Sequence, residues 1–129
     1  MPSLLPLSTI VGPRVRMTGE EAEHLFHRGD SAFDEHVELI DGMLIHLPPI
    51  GPDHAWITTC LLARFVPAYL GVGFVRCANP LELDEYSRPR PDLSVASGEV
   101  AHFRHRLPRA DETLLVIEVS VSTLERDRA

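Results

Sequence analysis

The sequence contains no lysine: all 12 of its basic residues are arginine. That absence excludes Schiff-base chemistry and phosphate loops built around a lysine ammonium. Cysteine is nearly as scarce, with Cys60 and Cys77 alone and no CxxC spacing. A disulfide framework is therefore excluded, and a reduced chain with two buried thiols is the expectation. Positive charge is in deficit as well, 12 basic residues against 19 acidic ones for a net −7. Such a chain is not a nucleic-acid binder that works by charge alone, although a carboxylate site is negative only until it takes up metal. Long apolar runs are missing too. The opening stretch to Arg16 has no basic residue ahead of its apolar part and carries Pro2, Pro6 and Pro13, unlike a signal peptide. The stretch from Cys60 to Val75 is broken by Arg64 and Pro67 and is too short to span a bilayer. The expected location is the cytoplasm, with no membrane partner.

What remains is an ordinary globular mixture, 44% apolar and 24% charged over 129 residues, enough for one domain. Residues 1–16 read as an irregular leader and 17–129 as the domain. Thr18-Gly-Glu-Glu21 has the form of a capping box and predicts a helix over about 19–28, with Gly29 as its stop. Two β-prone runs, His36–Ile40 and Met43–Leu47, flank Asp41-Gly42 and predict a hairpin with a type I′ turn. Pro48-Pro-Ile-Gly-Pro52 breaks structure. Asp53 is then expected to cap a second helix over about 54–70, apolar nearly all round and so laid against a sheet. Short strands are expected at 73–76, 80–83 and 92–96, with a Pro-rich turn at 84–91 and mostly loop over 98–112. The continuous run Thr113–Ser120 predicts a strand buried on both faces. Ser122 or Thr123 caps a last helix of about one turn, so the domain is read as incomplete at its C-terminus.

Chemistry concentrates in the acids on these strands. Asp92 opens one strand, and Glu118 follows after 25 intervening residues inside another. A carboxylate within Leu114-Leu-Val-Ile-Glu118-Val119 costs several kcal/mol, roughly, if left uncompensated. Two compensations are open: an ion pair with one of the arginines, or a divalent ion held by oxygen ligands. Glu38, on the first strand of the hairpin, reads by itself as an exposed residue of an alternating strand. His54 is either a surface residue at a helix start or a member of the same pocket. The remaining histidines form no HxxxH or HExxH pattern.

Taken together, Pro91-Asp92 and Glu118-Val-Ser120 resemble the PD-(D/E)xK nuclease superfamily. More closely, Glu38-Leu-Ile-Asp-Gly42, Pro49-Ile-Gly-Pro-Asp-His54, Arg90-Pro-Asp92 and Ile117-Glu-Val-Ser120 resemble the Uma family of restriction-endonuclease-like proteins, in order and spacing from about residue 17 to 129. The resemblance implies an α/β (α+β) restriction-endonuclease-like core, a mixed sheet flanked by helices with carboxylates at one edge. It implies Asp92 and Glu118 as ligands of Mg²⁺ or Mn²⁺, with the Val119 carbonyl as a third. Glu38 and His54 would complete the catalytic group, and DNA would be the substrate, its phosphates met by Arg88 and Arg90.

The pattern is broken at one place. The residue two beyond Glu118 is Ser120, where the superfamily has lysine, and no lysine stands elsewhere in the chain. Two functions of different class are thus expected: a metal-dependent endonuclease, impaired by the missing lysine, or a non-catalytic assembly module that keeps the nuclease fold. Either is expected as a homo-oligomer, a dimer in the simplest case, through an open sheet edge.

Overall fold

Asp41 and Gly42 have φ of 48° and 78°, the left-handed pair that a type I′ turn demands. They close β1 (Val37–Ile40) onto β2 (Met43–His46) as an antiparallel hairpin, Ile40 opposite Met43. The computed structural model describes residues 15–27 and 37–121. The hairpin is fastened to the Pro-rich turn after it in sequence: Gly42 N–H donates to the Tyr86 carbonyl at 2.8 Å, and Asp41 N–H donates to Ser87 Oγ at 2.9 Å. Helix α1 (Gly19–His27) begins at the expected cap, with Glu21 N–H donating to Thr18 Oγ1 at 3.2 Å. The Thr18 hydroxyl in turn donates to the Glu21 carboxylate at 3.2 Å. Ala22 is its buried anchor, and Gly19 N–H ties the helix start to the Glu85 carbonyl.

Helix α2 (Pro52–Ala68) starts two residues before the expected point. Gly51, extended, is its N-cap, and Pro52 takes the first helical position, where a missing N–H costs nothing. Asp53 sits in the first turn instead of capping it. A larger difference concerns burial. No residue of α2 is buried, and Trp56 is 70% exposed, although one side of the helix rests against β3.

The central sheet runs β3 (Gly73–Cys77), β4 (Leu93–Ser97), β5 (Thr113–Ile117), antiparallel throughout. The parallel contact among the described residues is an isolated bridge between Glu82 and Arg109. The middle strand carries the core: Leu93, Ser94, Val95 and Ala96 are all buried, so β4 is covered on both faces. The expectation for 113–120 is overturned. β5 stops at Ile117, and Leu114 and Val116 stay half exposed, 51% and 47%. It has β4 alone as a neighbour among the described strands, and an edge position leaves one side of a strand open.

No strand forms over 80–83. Leu81 is buried there, but the N–H groups of Leu81, Glu82 and Leu83 donate to three different segments, at Pro89, Pro108 and Ser87, so no ladder forms and only the Glu82 bridge remains. Residues 98–112 contain two 3₁₀ turns, Val100–Phe103 and Ala110–Glu112. The helix expected after Ser122 lies outside the described residues. Both cysteines are exposed, contrary to expectation, because Cys60 projects from the uncovered side of α2 and Cys77 ends β3. Among the described residues, two α-helices and two antiparallel sheets make this an α+β fold, consistent with restriction-endonuclease-like architecture. Among the described residues no helix is long and apolar enough to cross a membrane.

The second 3₁₀ turn has a pH consequence. Arg106 donates twice to the Glu112 carboxylate, at 2.6 and 2.7 Å, and Arg109 N–H adds a bond at 3.2 Å. These bonds, Arg106 first, hold the Glu112 carboxyl at about 2, below its ordinary 4.5. Because the folded value is the lower one, this contribution to stability is present above about 4.5 and is lost as pH falls toward about 2. Glu112→Gln is expected to flatten the acid limb of a plot of thermal midpoint against pH over that window and to leave its slope above pH 5 unchanged.

Candidate active site

Antiparallel pairing places the two key acids together. Leu93 lies opposite Ile117 in the β4–β5 register, so the next step beyond both strands sets Asp92 against Glu118. Asp92 is held from three sides. Its carbonyl accepts the Ala78 N–H at 3.0 Å. Its Oδ2 accepts the Val119 N–H at 2.6 Å, and its Oδ1 lies 2.9 Å from His54 Nε2. His54 occupies this position because Gly51 and Pro52 start α2 two residues earlier, which aims its first turn at the strand ends. Glu38 arrives from β1, itself tied to the segment before Asp92 by reciprocal Leu39–Arg88 backbone bonds. Its Oε2 accepts the Arg90 N–H at 3.1 Å.

These residues line one cavity of about 550 Å³, with Glu38, His54, Arg90, Asp92, Glu118 and Val119 on its polar side. Residues 48–52 supply the apolar wall. Partial burial, then the adjacent Asp92 and Glu38 charges, push the Glu118 carboxyl above its usual range, and the Asp92 N–H partly offsets this. Asp92 is also within hydrogen-bonding reach of that carboxyl. Glu118 nevertheless stays open to solvent on the cavity side. With the folded value raised, raising pH through it ionises Glu118 at a cost to stability. Glu118→Gln is therefore expected to stabilise the metal-free protein at neutral pH. The gain is expected to be below about 1 kcal/mol, because solvent screens an exposed site, and thermal denaturation in a chelating buffer checks it.

The donor set fits a hard divalent cation in kind: the adjacent carboxylates of Asp92 and Glu118. Each Asp92 oxygen already has a donor, yet a carboxylate oxygen has a second lone pair to offer. Among the described residues, no three His, Cys, Asp or Glu side chains stand together as a ready cage. Fit thus rests on the Asp92–Glu118 pair.

The two candidate arginines part company. Arg90 lines this cavity, its Nε and Nη2 donating to the Ala78 carbonyl at 3.2 and 3.0 Å. Arg88 is placed elsewhere: its Nη1 lies 3.3 Å from Glu82 Oε2, in a second cavity beside Thr18, Glu20 and Asp111. Sequence reasoning missed Ala78, whose φ of 53° turns its N–H to Asp92 and its carbonyl to Arg90. An alanine gives no sign of a left-handed conformation. It also read the run 48–52 as a breaker and as part of a family motif but not as a cavity wall, although prolines flanking a predicted helix start were a usable sign of one.

The fold is consistent with a restriction-endonuclease-like protein. A family model described as "Putative restriction endonuclease" (Uma2) matches residues 23–129. The chain belongs to that family, which is a nuclease family by this description. No curated protein matches it.

Proposed function

We propose that this chain is a Mg²⁺- or Mn²⁺-dependent endonuclease that hydrolyses phosphodiester bonds of DNA. The observation that carries the reading is the convergence of Asp92 and Glu118 at adjacent strand ends, in a cavity shared with Glu38 and His54. Asp92, Glu118 and the Val119 carbonyl are the residues that would hold the ion. When bound, such an ion supplies positive charge against the charge that develops on the phosphoryl group and acidifies a water. The chain's own residues do the positioning. His54 and the Val119 N–H fix both oxygens of Asp92, so its carboxylate is oriented before any ligand arrives. Glu38 anchors the backbone of Arg90, whose guanidinium lends positive charge to the cavity wall that a DNA phosphate would approach. Water adds to phosphorus and the bond to the leaving sugar oxygen breaks, that oxygen taking up a proton.

The position two beyond Glu118 holds Ser120 where the superfamily has lysine, and losing one positioned charge of this kind costs about 100- to 1000-fold in rate. Cleavage is accordingly slow. The assembly-module reading draws on the same missing lysine. The experiment is a plasmid-nicking assay with Mn²⁺, with Mg²⁺ and with chelator. Slow nicking that needs the metal supports the endonuclease, and nicking that persists in chelator contradicts it. A folded protein with no nicking above background assigns the chain to the assembly module.

A further inference from the structure

The apolar character of α2 is unexplained by the fold. His54, Thr58, Leu61, Leu62, Phe65 and Tyr69 are at least partly covered and form the inner side. The outer side carries Trp56, Thr59, Cys60, Ala63, Val66 and Pro67, all exposed. A solvated helix face is normally charged. This one has Asp53 and Arg64 alone, and neither makes an ion pair among the described residues.

The placing of those two charges suggests what covers the face. Asp53 and Arg64 are eleven residues apart, which at 100° per residue is about 20° past three full turns and about 16.5 Å along the axis. They therefore lie on the same edge of the outer face, one at each end. A two-fold axis crossing midway between them brings each Asp53 against the partner's Arg64, a reciprocal pair of opposite charges on one edge. For a chain of net −7, this is a face on which two copies meet attraction where most of the surface offers repulsion.

We propose that two copies of this chain dimerise by packing the outer faces of α2 as an antiparallel, two-fold-related helix pair. Trp56 near the centre supplies the large aromatic anchor, and small residues at 59, 60 and 63 let the helices approach to about 8–10 Å. The midpoint falls between Thr58 and Thr59, so Cys60 and the partner's Cys60 are offset by only about 4.5 Å along the axis. This interface uses no residue of the sheet edge, and it shares Asp53 with the lining of the acid cavity.

Sedimentation across a concentration series tests it on four proteins. The parent is expected to dimerise. Trp56→Glu, at a position already 70% exposed and so harmless to the monomer fold, is expected to raise the dissociation constant at least about 30-fold. Asp53→Arg weakens the dimer about 10-fold or more, and Asp53→Arg with Arg64→Asp restores it to within about 3-fold of the parent. In a Cys77→Ser background, a short bismaleimide is expected to link the two copies through Cys60, and Trp56→Glu to abolish the link. A parent that stays monomeric at every concentration overturns the proposal. So does a dimer indifferent to Trp56→Glu, or a double charge reversal no tighter than the single one.

Discussion

Asp92→Asn is expected to lower DNA cleavage in Mn²⁺ by at least about 1000-fold, equivalent to roughly 4 kcal/mol of transition-state stabilisation. The substitution keeps the shape and one acceptor oxygen. It removes a charge and turns one of two bonded positions into a donor, facing either the Val119 N–H or His54 Nε2. It also takes away a like charge that holds the Glu118 carboxyl high, so Glu118 should titrate closer to its ordinary range in the variant. The fold is not at stake, because the Ala78–Asp92 contact is made by backbone atoms. Single-turnover assays with matched circular dichroism check the outcome. Cleavage within about 10-fold of the parent would remove Asp92 from the chemistry.

The largest expected stability effect comes from a glycine outside the site. A Cβ added at Gly73 would lie 2.2 Å from the Ala96 carbonyl oxygen and 3.1 Å from its carbon. Both are backbone atoms of the buried central strand, so neither can swing aside as a side-chain tip could. β3 must separate from β4 at its first pair, Gly73 opposite Ser97. Gly73→Ala is expected to cost roughly 3 kcal/mol, a large share of the ~5–15 kcal/mol that holds a domain together. The thermal midpoint should fall by about 10 °C. Gly51→Ala is the matched comparison, since nothing lies within 4 Å of its added Cβ and its φ is −84°. A shift of under about 2 °C is expected there, and equal shifts for the two would refute the close-approach argument.

Features of short range were the legible ones. The Asp41-Gly42 turn and the Thr18–Glu21 cap depend on neighbours within three residues, and both form as their residue types require. The pairing that sets Asp92 against Glu118 was not legible in the two runs themselves, because Glu118 was expected inside a strand that ends at Ile117, and only the family resemblance joined the two acids. Burial was not legible. Thr113–Ile117 and α2 are both rich in apolar residues, yet what covers them depends on distant elements, and their hydrophobicity here marks open faces. Arg88 and Arg90 show the limit at the scale of one side chain. Two residues apart, they would share one face of a regular strand, but the bridge to Leu39 is isolated and ends at Arg88, and the side chains part, one to Glu82 and the other to the acid cavity. Proximity in sequence joined them, and the end of regular pairing at Arg88 separates them.

Whether the acids form a metal centre is tested most directly by titrating the metal-free chain with Mn²⁺ and following the free ion by electron paramagnetic resonance. One ion per chain is expected, with binding lost in Asp92→Asn and in Glu118→Gln but kept in Arg88→Gln, whose side chain lies in the other cavity. Binding that is absent in the parent, or unchanged by both acid substitutions, would contradict a metal centre at Asp92 and Glu118.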